Sequence, residues 1–527
     1  MPTQPRQPSG SSLAAARGHD GSGWLGLMSK RKEKLIIPDH WYRLVDVRPA
    51  SPSEGEALAQ GQPPSRSGLG RFDPALGPFS SPTSFTTLWS ASFEFLRDIS
   101  ALDEDFVAIL EAWLPHWIEG PNKTKPTWFA LNKSDRAHLS PNDQMICCGR
   151  RILNWLAHLL PVTHKLSPAL QAKVWACFLA DVRRVSEPDD GWRGQLIAAF
   201  VPKSRRVLWM RACAILGIQA CAPGMLKQDL VEEAEACARD LVGPDGMFAD
   251  GSVLGTLSAT ADLAMLTKIE AMEPIFDRAA QAIATLRRSD GSLVTFGGQH
   301  GFRGLADAVL GTRDWRRSPV LKTGAIGFVE AGSSRLWTRC PSATGFHGPI
   351  GELEWKGHTL LTSLETHVSA LVLDEPVQIS TPQTRRRDEE GKITLEAKCL
   401  MEARGKSFSC VRTLTISADG TLVEGQDGLF ATLGNFVPQT AHARFVLGPN
   451  CHTIISKDGQ SALIQLPRGE AWRLRALGLQ LSLERVINPS KNSSQRAINK
   501  ILVRPVDGQL TRKDMVFRWE LQLEERL

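Results

Sequence analysis

Val516-Phe517-Arg518-Trp519-Glu520-Leu521-Gln522-Leu523 alternates apolar and polar side chains without a break. A period of two puts one set of side chains inside and the other in water, the signature of a half-buried strand. The same period recurs upstream, in Ala325-Ile326-Gly327-Phe328-Val329, Leu353-Glu354-Trp355, Leu371-Val372-Leu373, Val411-Arg412-Thr413-Leu414-Thr415-Ile416 and Leu479-Gln480-Leu481-Ser482-Leu483. Asp-Gly pairs at Asp419-Gly420, Asp458-Gly459 and Asp507-Gly508 fall between such runs, as hairpin turns require. Roughly ten or more strands at 8–15-residue spacing predict an all-β sandwich over residues 319–527.

Upstream of Gly311 the period is that of a helix. Phe106, Ile109, Leu110, Trp113 and Trp117 recur at three- and four-residue intervals, as do Val174, Trp175, Phe178, Leu179 and Val182. Pro161, Pro223-Gly224, Pro244-Asp245-Gly246 and Asp290-Gly291 punctuate the helical runs. An array of α-hairpins over residues 85–318 is the expectation. Residues 1–30, rich in Pro, Ser, Gly and Gln, read as a disordered tail, and 31–84 as an extension and linker.

The 527 residues carry a net charge of +6, too small an excess for a nucleic-acid binder of this length. It leaves room for a locally basic cleft that takes an anionic ligand, expected between the two domains. No apolar run reaches the ~20 residues of a membrane span, and the first 20 residues lack the apolar core of a secretory signal. The expectation is a cytoplasmic protein, or a periplasmic one if the natural start lies elsewhere. Ten scattered cysteines without a CxxC spacing read as buried free thiols. The chain has 15 Trp and a single tyrosine, Tyr42.

Arg151-Ile-Leu-Asn154-Trp155-Leu-Ala-His158, Pro244-Asp-Gly-Met-Phe, Arg288-Ser-Asp-Gly-Ser-Leu, Phe346-His347-Gly-Pro-Ile-Gly-Glu-Leu-Glu-Trp355 and His367-Val-Ser-Ala-Leu-Val-Leu-Asp374 follow one another along the chain. In order and spacing they resemble the heparinase II/III-like proteins of alphaproteobacteria, relatives of the polysaccharide lyases. The resemblance implies a multidomain α+β fold: an N-terminal α/α-toroid, an incomplete helical barrel, followed by a C-terminal antiparallel β-sandwich. It also implies β-elimination on a uronic-acid-containing, glycosaminoglycan-like glycan. That reaction needs a neutralised uronate carboxylate, a base for the C5 proton and an acid for the leaving oxygen. In the family, Asn or His does the first, and Tyr and His share the others. Carried over, the catalytic candidates are His347, His367 and Asn154, with Trp155, Arg150 and Arg151 binding substrate.

Two positions depart from the family. Asp250-Gly251-Ser252-Val253 stands where relatives often carry Ser-Arg-Asn-Pro, and Ala325-Ile326 where they carry Gly-Tyr. The implied partner is an acidic polysaccharide or oligosaccharide, with no nucleic acid and no cofactor. Some relatives hold zinc in the β domain, and His347, His358 and His367 are the candidates for that variant. A second reading keeps the fold as a non-catalytic binder of acidic polysaccharide in surface-glycan synthesis or processing. A third is a glycoside hydrolase with carboxylates among Asp245, Asp250 and Asp262. Arg385-Arg386-Arg387, followed by Asp388-Glu389-Glu390, reads as a charged hairpin loop.

Overall fold

A computed structural model describes residues 42–64, 71–79, 88–119, 141–186, 205–294, 296, 302–340, 347–369, 378–403, 406–433, 440–476, 478–487, 497–505 and 514–524. The expected N-terminal tail, the strand at 371–373 and the Asp507-Gly508 turn lie outside them. The chain divides into two compact units, Met1–Leu241 with Thr260–Phe276, and Val242–Ala259 with Asp277–Leu527. No helix among the described residues is long and apolar enough to cross a membrane.

The longer helices are α1 (Pro52–Ala59), α2 (Glu104–Glu119), α3 (Pro141–Asn154), α4 (Pro168–Ser186), α5 (Arg205–Cys221), α6 (Gln228–Leu241), α7 (Val253–Leu266), α8 (Glu273–Thr285) and α9 (Arg303–Leu310). Their packing follows their sequence spacing: in α6 the buried residues are Val231, Ala234, Ala238 and Leu241, one stripe of an amphipathic helix. The core of the first unit is aromatic. Phe93 meets Phe95, Trp117 and Trp155 with ring centroids 4.9–5.4 Å apart, and Trp155 stacks on Phe178. All ten cysteines are free thiols, and all but Cys237 are buried.

Strands begin where the alternation begins. One eight-stranded sheet holds β1 (Val320–Leu321), β2 (Ile326–Ala331), β3 (Ser334–Arg339), β4 (His347–Trp355), β5 (His358–Ser369), β10 (Thr440–Leu447), β15 (Ala497–Pro505) and β14 (Leu479–Ile487), in that spatial order. The other holds β11 (His452–Ile455), β12 (Ser461–Gln465), β13 (Ala471–Ala476), β16 (Asp514–Glu524), β9 (Leu422–Leu433), β8 (Lys406–Ser417), β7 (Lys392–Ala403) and β6 (Gln378–Glu389). Every neighbouring pair is antiparallel. A single core lies between the sheets, with Leu336, Leu364 and Phe445 from the first and Leu395, Leu414, Trp472 and Trp519 from the second. In β16 the inward residues are Met515, Phe517, Trp519 and Leu521, as the alternation requires. Gly420 and Gly459 take positive φ, +74° and +68°, in the Asp-Gly turns joining β8 to β9 and β11 to β12.

The arginine triplet differs from expectation. Arg385-Arg386-Arg387 lies inside β6, and the turn comes later, at Glu390-Gly391. Because β6 closes one end of its sheet, its outward charges protect an open edge from pairing with another chain.

One ionic group sits inside the sandwich. Arg412 on β8 and Asp427 on β9 are 0% and 1% exposed and meet at 2.6 Å. Trp519 Nε1 donates to the same carboxylate at 3.1 Å. Arg412 also reaches across to the other sheet, donating through Nη1 to the carbonyl of Pro349 at 2.6 Å and to that of Leu364. Removing one partner leaves the other charge buried and uncompensated. Arg412→Ala or Asp427→Ala is therefore expected to destabilise the second unit by about 3–5 kcal/mol, whereas Arg412→Met with Asp427→Leu recovers most of the loss. Urea unfolding measures this, and single variants with the parent's midpoint would contradict it.

Candidate active site

β4 and β5 form a hairpin through Lys356-Gly357. Both turn residues have positive φ, +45° and +80°, the type I′ pattern that matches strand twist. Pairing runs from Trp355–His358 at the turn to His347–His367 at the far end. Between Ile350–Glu365 and His347–His367, β4 takes one residue more than β5, so β4 bulges. Pro349 lies in the bulge; lacking an N–H, proline is tolerated in a central strand at such an irregularity. On its other edge β5 pairs with β10, placing His367 opposite His442 and Glu365 opposite Arg444.

His347, His367 and His442 therefore form one row across three adjacent strands. In the backbone register these three positions are direct cross-strand partners. Ala443 and Phe445 point into the sandwich core, so His442 and Arg444 stand on the opposite face. The next row along the sheet is Ile326, Arg339, Ile350, Glu365 and Arg444. Arg444 approaches Glu365 at 3.5 Å, and Arg339 donates to the carbonyl of Gly251 at 3.0 Å.

Another part of this face is covered by the turn after α8. Arg288 pairs with Glu352, Phe296 N–H donates to the same carboxylate, and Ser289 N–H donates to Glu354 at 3.0 Å. Two of the sequence segments quoted above, Arg288–Leu293 and Phe346–Trp355, thus meet through buried glutamates. The Asp290-Gly291 and Asp245-Gly246 turns are built alike. In each, an isolated bridge closes the turn and the glycine has φ near +80°. A Cβ on Gly246 would sit 1.9 Å from the carbonyl oxygen of Arg278, which only glycine avoids.

The zinc set named from sequence does not assemble. His358 sits at the turn end of β5, nine residues from His367, which is about 30 Å of strand. His442 is the residue sequence reasoning missed. Its signal was the alternation His442, Arg444 against Ala443, Phe445, which puts a histidine and an arginine on the polar side of one strand. The position matched to the relatives' tyrosine holds Ile326, fully buried and one row from the histidines. Ala325 before it has φ +48°, a conformation that suits the relatives' glycine. Tyr42 belongs to the first unit and is exposed.

The helical candidates take other places. Trp155 is 0% exposed inside the aromatic cluster. Asn154 is buried, its amide donating to the carbonyl of Ser92 at 2.8 Å. Arg151 is clamped by Asp181 at 2.6 and 2.7 Å and donates to the carbonyl of Ala91. Arg150 grips Asp262, which also receives Arg48 and Trp209 Nε1. The polar partners and ring neighbours of these side chains come from the first unit itself, and they hold its helices together.

The three carboxylates of the hydrolase reading are likewise taken up locally. Asp245 accepts from Thr323 N–H and Oγ1 at 2.7 and 2.9 Å, Asp250 from Ser252, and Asp262 from the two arginines.

Burial alone would raise the Asp262 carboxyl, but Arg150 and Arg48, with the Trp209 hydrogen bond, outweigh it and hold it below the usual range. Asp46 behaves the same way: burial opposes, while His158 and Arg48 bring it well below. Both folded values lie under the unfolded value, so their stabilisation is complete above about pH 4 and lost as the pH falls through the folded values. Asp262→Asn is expected to cost about 3–5 kcal/mol at neutral pH, with the deficit against the parent narrowing below pH 4. Denaturant titrations at several pH values check this; a pH-independent deficit would contradict it.

No family model matches the sequence, and no curated protein matches it. Solved structures do. The chain is similar to a heparan sulfate lyase HepC mutant from Pedobacter heparinus (TM-score 0.55, 9% identity, 98% of this chain and 88% of that one). It is also similar to heparinase III (TM-score 0.56, 10% identity, 97% and 90%) and to the heparinase III BT4657 gene product (TM-score 0.51, 9% identity, 98% and 91%). The chain has a polysaccharide-lyase-like fold, helices followed by an antiparallel β-sandwich.

Proposed function

We propose that this protein binds an acidic, uronate-containing glycan and cleaves it by β-elimination at the histidine row of its second unit. The observation that carries the reading is the strand register, which sets His347 opposite His367 and His367 opposite His442. A neighbour named as a heparan sulfate lyase shares the fold over 98% of this chain.

The reaction needs two proton transfers near one sugar carbon. A neutral imidazole takes the C5 proton, the C4–O bond breaks as the C4=C5 double bond forms, and a second imidazole, protonated, delivers its proton to the leaving oxygen. Paired histidines supply both groups, since one ring can be neutral while its neighbour is charged. In this reading His347 and His367 carry the protons. Arg444, one row away, neutralises the carboxylate. No step runs through a metal.

One observation favours a second reading, binding without cleavage: Ile326 stands where relatives carry the tyrosine, and the only tyrosine lies in the other unit. Ultraviolet absorbance during incubation with a panel of uronate polysaccharides separates the two, because elimination leaves a conjugated unsaturated uronate. A rise is expected, reduced about 100-fold or more in His347→Ala and in His367→Ala. A rise untouched by either substitution would sink the histidine assignment. No rise on any glycan, with calorimetric binding retained, would replace the first reading by the second.

A further inference from the structure

The second unit has an open pocket of about 430 Å³ lined by Arg287, Arg313, Arg317 and Arg335, with Trp315 and two carboxylates, Asp314 and Glu330, among its walls. Arg335 stands opposite Glu354, and Glu354 opposite Thr359. From Thr359 to His367 is eight residues of β5, about 26 Å. The pocket is therefore distinct from the histidine row, although Arg335 and His442 lie on the same sheet face: Leu336 and Ala443, their neighbours, point into the core.

The pocket's cations are incompletely balanced by its own walls. Arg317 and Arg335 share one carboxylate, Glu330, at 3.0 and 2.9 Å, and Arg335 also meets Glu354 at 3.7 Å. Arg317 is held below the usual arginine range by burial first and by the Arg335 charge second, so the two guanidinium groups repel. Arg313 and Arg287 pair with Asp277 and Asp307 at the surface, where their side chains are 60% and 31% exposed. Exposed pairs of this kind contribute little and exchange readily for another anion. Arg313 lies 4.5 Å from the centroid of Trp315, whose Nε1 is fixed on the carbonyl of Leu310 at 2.9 Å. A fixed indole beside several guanidinium groups matches a pyranose that carries an anionic substituent.

We infer that this arginine pocket is a second, non-catalytic binding site for an anionic sugar unit of the glycan, a sulfate or a carboxylate being the group recognised. The inference rests on the proposed glycan reading for its ligand class. Two sites on one chain raise the effective concentration of a long polymer at the reacting site without altering the chemistry there.

Calorimetry on the full chain tests it with three short oligosaccharides: a sulfated one without uronate, a uronate one without sulfate, and a neutral one. Arg313→Glu with Arg317→Gln is expected to weaken anionic oligosaccharide binding at this site at least tenfold and to lower the stoichiometry from two to one, with an unchanged melting temperature. Glu330→Gln leaves Arg317 and Arg335 without their shared counter-charge and is expected to tighten binding several-fold. Response to the sulfated sugar, to the uronate or to both supports the site and names its anion. If the histidine row binds nothing, the parent shows one site, and the arginine variant abolishes it. Binding unchanged in both variants, or equal for the neutral sugar, would overturn the inference.

Discussion

Arg412 inside the sandwich is the constraint on which the candidate site depends. A guanidinium group removed from water costs several kcal/mol unless its donors are filled. Here Asp427 neutralises it on its own sheet, and the carbonyls of Pro349 and Leu364 receive it on the other. Those carbonyls are not arbitrary. Pro349 belongs to the β4 bulge, and Leu364 precedes Glu365, the residue paired with Ile350 beside that bulge. The buried cation therefore fastens the irregularity nearest the His347–His367 pair, one of three in the β4–β5 ladder. A one-residue slip would send the side chains of β4 to the opposite face.

The two units use charge differently. In the first, Arg150, Arg151 and Arg48 are matched to Asp262, Asp181 and Asp46, and the result is rigidity between helices. In the second, Glu352 and Glu354 anchor the turn after α8 to the sheet, while His442, Arg444 and Glu365 stand on the same polar face. The chemistry proposed for this protein sits on the second arrangement, where the residues lie on strands fixed by long ladders rather than on loops.

The change from helix to strand was legible because it rests on periodicity, and β16 buries the residues its alternation names. The Asp419-Gly420 and Asp458-Gly459 turns were legible because few residues accept positive φ. The site was legible in part. His347 and His367 stood out as single residues, but nothing local says that a strand seventy-odd residues downstream brings His442 beside them. The placement of β10 next to β5 is a long-range pairing. Trp155 and its arginine neighbours show the opposite difficulty. A tryptophan next to two arginines and an asparagine suits a sugar surface, and it equally suits a tightly paired core. Only the partners Asp181 and Asp262, thirty and more than a hundred residues away, distinguish the two.

Disulfide trapping tests the histidine register most directly. Directly opposed cross-strand residues, about 4.5–5.5 Å apart at Cβ, can be bridged by a disulfide with a small backbone movement, whereas residues more than 7 Å apart at Cα cannot. His347→Cys with His367→Cys, and His367→Cys with His442→Cys, should each cross-link under mild oxidation, read as a linked peptide pair by mass spectrometry. Glu365→Cys with His442→Cys, one row out of step, should not. Cross-linking of the offset pair in place of the facing pairs would contradict the register and the site built on it.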